Sequence, residues 1–144
     1  GFDAVVATNL TGGFLVMREV FVQSMQAHGG AMVNMAADMW RGMPGMAHSG
    51  AARAGMVNLT KTCAYEWGPA GVRVNCVAPG FIETDINLRV RADKERFEFL
   101  SARIPAKRWG KPADLAGATL FLSSAASDYV SGVVLPVDGG YLAN

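Results

Sequence analysis

The stretch from Met32 to Gly80 constrains the fold most. It opens with an apolar run that ends in small and polar residues, Met32-Val33-Asn34-Met35-Ala36-Ala37-Asp38. A long segment rich in Ala and Gly follows, with His48-Ser49-Gly50-Ala51-Ala52-Arg53-Ala54-Gly55 near its start. A second apolar run, Val72-Arg73-Val74-Asn75-Cys76-Val77-Ala78, stops at Pro79-Gly80. Short apolar runs bounded by turn residues read as buried strands, and the segment between them has the length and spacing of a helix. The unit is strand–helix–strand. Such a crossover joins parallel strands, and ligands gather at the carboxyl ends of those strands.

The rest of the chain extends this pattern. From Phe2 to about Ala27, Val6, Leu10, Phe14, Met17, Phe21 and Met25 recur at three and four and predict a helix. Val5, Val16, Val20 and Val22 widen its apolar face, so a sheet on one side and a second subunit on the other are expected. A strand is expected over 31–36 and a loop over 38–46, punctuated by Gly42, Pro44 and Gly45. The second helix runs from Ala47 to Trp67 with Ala52, Met56, Leu59, Cys63 and Trp67 inside. Its small residues Ala51, Ala54 and Gly55 let another backbone come close. A strand over 72–77 follows. Then comes a long connection holding one charged helix, roughly 86–102, of the kind that covers substrates. Pro112 opens a helix to about Leu122, with Leu115, Ala118 and Leu122 inward, and a third strand over 132–137 closes at Asp138-Gly139-Gly140. Three parallel strands leave an edge and a face open. With an opening Gly1 instead of Met, this points to the C-terminal part of a doubly wound, Rossmann-like α/β sheet.

Composition narrows the function. Hydrophobic residues make up 51% and charged residues 17%, in 144 residues with a net charge of +1. That balance gives no electrostatic case for nucleic acid or an acidic membrane surface. No apolar stretch reads as a spanning helix, and no signal peptide or targeting tail is read at either end. Cys63 and Cys76 fall inside regular elements, which suits free thiols in a reducing, cytoplasmic setting. No Cys/His cluster has metal spacing, so no metal is expected.

Four segments in order and spacing carry a resemblance to the short-chain dehydrogenase/reductase superfamily. Thr8-Asn9-Leu10 resembles the helix whose Asn holds a water near the active site. Val33-Asn34-Met35-Ala36-Ala37 resembles the strand that ends in the catalytic Ser. Pro79-Gly80-Phe81-Ile82-Glu83-Thr84 resembles the loop that touches the nicotinamide end of the cofactor, and Val137-Asp138-Gly139-Gly140 the last strand and its turn. The resemblance covers residues 1–144 and implies the C-terminal portion of one domain, an NAD(P)-dependent oxidoreductase using NADP or NAD. It implies a homodimer or homotetramer paired through the two long helices. No Gly-x-Gly-x-x-Gly joins a strand to a helix in the sequence, so this chain alone is expected to be inactive.

The family's Tyr and Lys lie one helical turn apart. Here those positions are Ser49 and Arg53, and the Ser position falls on Ala36 or Ala37. Asn9, Ser49 and Arg53 are thus the implied catalytic set. Arg53, Pro79, Gly80, Ile82 and Thr84 are the implied cofactor contacts. The run His48–Gly55 resembles the helix of peroxisomal-type trans-2-enoyl-CoA reductases, relatives of the 2,4-dienoyl-CoA reductases, which lack the usual Tyr. This implies reduction of a conjugated double bond in an acyl-CoA or similar thioester. A weaker similarity to terpenoid alcohol dehydrogenases keeps open a carbonyl or alcohol dehydrogenase, and the missing Ser and Tyr keep open a non-catalytic subunit. Ser49 can donate a hydrogen bond to a thioester oxygen. Arg53 can bind ribose hydroxyls, though a guanidinium does not pass on its proton. His48 reads as a general acid or as a residue packing at the helix start, and Asp38 as a site or solvated residue. Met32, Met35, Met39, Met43, Met46 and Met56 read as core or as an adaptable acyl pocket, the first two as core. Trp40 and Trp109 line a pocket or cover the sheet end.

Overall fold

The computed structural model describes residues 1–143. Asn144, the last residue of the tail searched for a targeting signal, lies outside them. Helix α1 spans Phe2–His28, β1 Gly30–Met35, α2 Ala47–Trp67 and β2 Val72–Pro79. Two short helices follow, α3 over Leu88–Ala92 and α4 over Lys94–Ala102. Helix α5 spans Ala116–Ser123 and β3 Val134–Val137. The strands form one parallel sheet in the order β1-β2-β3. Gly30 pairs with Val72 at one end, and Pro79 with Val137 at the other. This is the α/β, Rossmann-like parallel sheet expected from the sequence.

The central strand β2 explains the layering. Val72, Val74, Cys76, Val77 and Ala78 are essentially unexposed because elements cover both faces. On one face Val72 and Val74 pack with Met17, Met32, Met56, Cys63 and Trp67, and Phe21 of α1 stacks on Trp67 with centroids 4.5 Å apart. On the other face lies α5, whose Leu122 is fully buried. Polar side chains of β2 fasten that side. The Arg73 guanidinium donates to the Leu122 and Ser124 carbonyls at the end of α5, both at 3.0 Å. Asn75 donates to the Val130 carbonyl (2.8 Å) and accepts from the Val133 amide (3.1 Å), which holds the approach to β3.

Several boundaries differ from expectation. The charged helix expected over 86–102 is two helices. Asp93 leaves helical geometry (φ −83°, ψ 98°) and accepts from the Arg96 amide, so it starts α4. The helix after Pro112 begins as a tight turn over Pro112–Leu115. Helix α1 contains two π-helical turns, Ala7–Thr11 and Phe21–Met25. Gly55 faces the Leu10 side chain and not a backbone: a Cβ there would sit 2.8 Å from both Leu10 methyls. Met32 is core, as expected, but Met35 is 43% exposed.

Helix α1 also corrects the membrane reading. By length and composition alone it is apolar enough to cross a bilayer, with a mean hydropathy of 1.3 over 18 residues. Its inward stripe is used in the sheet's core, and its excess hydropathy comes from the outward Val16, Val20 and Val22.

The Asn75 arrangement gives a stability prediction. Asn75→Ala leaves the Val133 amide without its acceptor and the Val130 carbonyl with only the long 3.4 Å bond from Arg73, and should cost about 2 kcal/mol. The urea unfolding midpoint measures it, and an unchanged midpoint would show that Asn75 does not hold β3.

Candidate functional site at the carboxyl ends of the strands

Parallel strands and their crossover helices run in opposite directions. The first turns of α1 and α2 therefore sit at the carboxyl ends of β1, β2 and β3. Arg53, in the second turn of α2, donates from Nη1 to the Met35 carbonyl at 2.7 Å. This bond fixes the guanidinium over the end of β1. No other hydrogen bond from this guanidinium is made among the described residues, so its remaining N–H groups are left for a ligand. Ser49 lies one turn earlier on the same face and is half-buried. Ala36 is buried and Ala37 half-buried, so the end of β1 presents methyl groups where the family carries Ser.

Asn9 lies in the first π turn of α1, half-buried. That turn packs on α2, where its neighbour Leu10 touches Gly55. The structure thus brings the segments of Asn9, Ser49 and Arg53 to one end of the sheet, without a direct bond among the three side chains. Pro79 is the last residue of β2, and the Gly80 amide donates to the Val137 carbonyl at 3.1 Å. A Cβ on Gly80 would lie 2.7 Å from the Asp138 Cβ and 2.8 Å from its Cα. Only glycine lets the two strand ends close. Ile82 bridges to Gly110, with Glu83 donating to the Gly110 carbonyl at 2.8 Å. Thr84 caps the turn Asp85–Asn87, its amide donating to Asn87 Oδ1 at 3.2 Å. Both loop residues are held by the chain itself.

Sequence reasoning undervalued the acidic side of this end. The Asp38 amide donates to the Pro79 carbonyl at 3.2 Å, which sets Asp38 beside the end of β2. Asp138 stands at the end of β3, where its carboxylate accepts from the Gly140 and Leu142 amides (2.8 and 2.9 Å). Burial pushes the Asp38 carboxyl above the usual carboxylate range, and the Asp138 charge adds to the rise, while Arg41 and Arg103 oppose it. The signal was present: Asp-Gly-Gly after a strand places an acid where the strands end. Arg103 sits over the Tyr141 ring, 5.1 Å from its centroid, and Tyr141 meets Phe81 edge-on at 5.3 Å. Trp109 is buried against Phe81 and Phe97, both at 5.1 Å, while Trp40 is half-exposed. A cleft of about 240 Å³ beside this cluster is lined by Phe81, Ile82, Gly110, Asp138 and Gly139, with Arg108 paired to Asp114 at its rim.

These donors fit the nicotinamide end of a dinucleotide. The Arg53 guanidinium is anchored with N–H groups to spare, and the Pro79-Gly80 turn closes the end of the neighbouring strand. These groups have the chemistry to hold the nicotinamide end of an NAD(P) cofactor.

Comparison with known proteins agrees. The family model described as enoyl-(acyl carrier protein) reductase matches residues 1–142. The chain belongs to the short-chain dehydrogenase/reductase superfamily. The 2-dehydro-3-deoxy-D-gluconate 5-dehydrogenase of Dickeya dadantii is 38% identical over 144 residues, 99% of this chain and 57% of that protein. The solved citronellol catabolism dehydrogenase of Pseudomonas aeruginosa PAO1 is 52% identical, with a TM-score of 0.83, over 98% of this chain and 54% of that one. A gluconate 5-dehydrogenase from Burkholderia cenocepacia J2315, solved with NADP and tartrate, is 35% identical with a TM-score of 0.93, over 99% and 56%. The chain thus spans little more than half the length of these short-chain dehydrogenases/reductases. The comparisons support the superfamily and not the enoyl-CoA reductase branch in particular.

Asp38 gives a pH prediction. A carboxyl whose folded pKa is raised binds its proton more tightly in the native state. Its contribution is favourable below the unfolded value of 3.8 and is lost as pH rises through the raised one. Asp38→Asn should therefore raise the thermal midpoint at pH 7 and leave it unchanged at pH 3. Equal shifts at both pH values would remove the burial and Asp138 effects from the account.

Proposed function

We propose that the full-length protein is an NADP-dependent oxidoreductase that reduces the conjugated double bond of an acyl thioester such as an enoyl-CoA. The observation that carries this reading is the chemistry of the Arg53–Ser49 face. It offers a hydroxyl and an anchored guanidinium, and no phenol. None of the chain's tyrosines stands on that face of α2: Tyr65 and Tyr129 are exposed, and Tyr141, beyond β3, packs edge-on against Phe81. A bound nicotinamide supplies the hydride. Ser49 donates a hydrogen bond to the thioester oxygen, where negative charge builds, and needs no phenolic proton to do so. Arg53 holds the ribose hydroxyls and keeps positive charge near the developing enolate. Asn9 orders a water between α1 and α2. Pro79, Gly80, Ile82 and Thr84 form the wall along the nicotinamide. Met35, Trp40 and Met46, all 43% or more exposed at this end, offer an apolar surface suited to an acyl chain.

A second reading is a carbonyl or alcohol dehydrogenase of the same superfamily, favoured by the dehydrogenase activities for which the three relatives above are named. For either reading we propose a cytoplasmic enzyme, supported by two buried free thiols. Its subunits pair through α1 and α2, supported by the exposed Val16, Val22 and Tyr65 on those helices.

Absorbance at the nicotinamide band tests the substrate. With NADPH, the full-length protein should oxidise cofactor with crotonyl-CoA or longer enoyl-CoAs, and faster than with citronellal or a ketogluconate. The reverse order would select the second reading. Arg53→Ala should lower kcat/KM roughly 30- to 100-fold, the worth of a charge-assisted hydrogen bond. Full turnover in that variant would take Arg53 out of the site.

A further inference from the structure

The first residue of the Ser49 turn has no role in the reading above. His48 lies one helical turn before Ala52, at the head of the stripe Ala52, Met56, Thr60, Cys63 and Trp67, every one of which is buried. The His48 ring therefore sits on the inner side of α2, above the carboxyl ends of the strands, next to Ser49. Its Nδ1 is buried without a hydrogen-bond partner. Its Nε2 has no partner among the described residues either, but is not buried. The two ring nitrogens thus differ: Nδ1 is enclosed, while Nε2 keeps solvent access.

That difference settles where the proton of the neutral ring belongs. An N–H on Nδ1 would be a buried donor with nothing to accept it. The start of α2 has no side-chain cap, so no side chain offsets the partial positive charge of its first amides, beside which His48 sits. Their partial positive charge favours a lone pair on Nδ1 over a hydrogen. The neutral ring then carries its hydrogen on Nε2, the nitrogen that keeps solvent access.

We propose that His48 is a catalytic residue that donates a hydrogen bond from Nε2–H to the substrate oxygen, the contact the family usually makes through Tyr. The proposal rests on the oxidoreductase reading, but not on which oxygen is engaged. In enoyl reduction, hydride forms a new C–H bond at the β-carbon. The π pair of the double bond shifts to the thioester oxygen as an enolate, and a proton from water completes the α-carbon. The nicotinamide is oxidised by two electrons and the double bond is reduced by two. The ring keeps its Nε2 hydrogen throughout and stabilises charge as a hydrogen-bond donor, and Ser49 supplies the second donor.

Two measurements on the full-length protein test this. Long-range ¹H–¹⁵N NMR, with His48→Gln to assign the signal, should show pyridine-like Nδ1 and pyrrole-like Nε2. The opposite pattern would overturn the proposal whether or not a substrate has been found. In kinetics, His48→Ala should lose about 100-fold in kcat with KM changed less than about 3-fold. His48→Gln, whose amide N–H reaches a similar point, should recover at least about tenfold of that loss. NADPH affinity by fluorescence should stay within about 3-fold in both variants. Unchanged kcat in His48→Ala, or a Gln variant no better than Ala, would overturn the proposal. The comparison is made on whichever substrate the wild type turns over, so failure with enoyl-CoAs alone would count against the substrate reading and leave the His48 test intact.

Discussion

Burial of β2 on both faces is the constraint on which everything else depends. A strand whose Val72, Val74, Cys76, Val77 and Ala78 are all dry needs α2 and α1 on one side and α5 on the other. Parallel pairing then forces every helix to run back against the strands. The first turns of α1 and α2 arrive at one edge as a consequence, together with Pro79-Gly80 and Asp138. The site is thus a product of topology before any catalytic side chain is chosen. Side chains then sharpen it, as when Arg53 takes the Met35 carbonyl and thereby ties the helix that carries Ser49 to the strand that carries Ala36 and Ala37.

Polar groups inside this core behave as locks. Thr60 is fully buried; its hydroxyl donates to the Met56 carbonyl and accepts from the Asn34 amide at 2.9 Å. Arg73 and Asn75 do the same for α5 and β3. Each satisfied buried group restricts register and orientation more than it adds stability, because unpairing it costs more than the bond contributes net. This is why the apolar α2 stripe can hold a fixed rotation against the sheet, and why His48 at its head has a defined inward side.

The sequence made the fold legible where periodicity was strong. Helix α2 was placed residue for residue, since apolar spacing and the Gly68-Pro69 stop agree. The connection after β2 was not resolved, because charged α3 and α4 show no apolar rhythm, and a single Asp93 with extended ψ divides them. Met35 was placed in the core because it is apolar and in a strand. A strand's last side chain at an uncovered end has nothing to pack on, and the exposed Met35 shows it. The strand-end region was half legible: the segments of Ser49, Arg53 and Gly80, picked out by motif order, do come together at the carboxyl ends of the strands. The Asp38–Asp138 electrostatics and the orphaned His48 nitrogen depend on neighbours from distant segments, which no local pattern encodes.

Replacing Tyr and Lys by Ser and Arg changes more than two labels. An aliphatic hydroxyl is shorter than a phenol, so a donor on Ser49 sits closer to the α2 axis and leaves a gap where the ring would be. Met35, Trp40 and Met46 are exposed apolar side chains on the segments around it. A guanidinium has more donors than an ammonium and a planar fork. Anchoring one arm on Met35 still leaves its other N–H groups without a partner among the described residues. The pair therefore trades proton delivery for room and for fixed hydrogen bonds. That combination suits an acceptor whose charge needs holding more than its oxygen needs protonating.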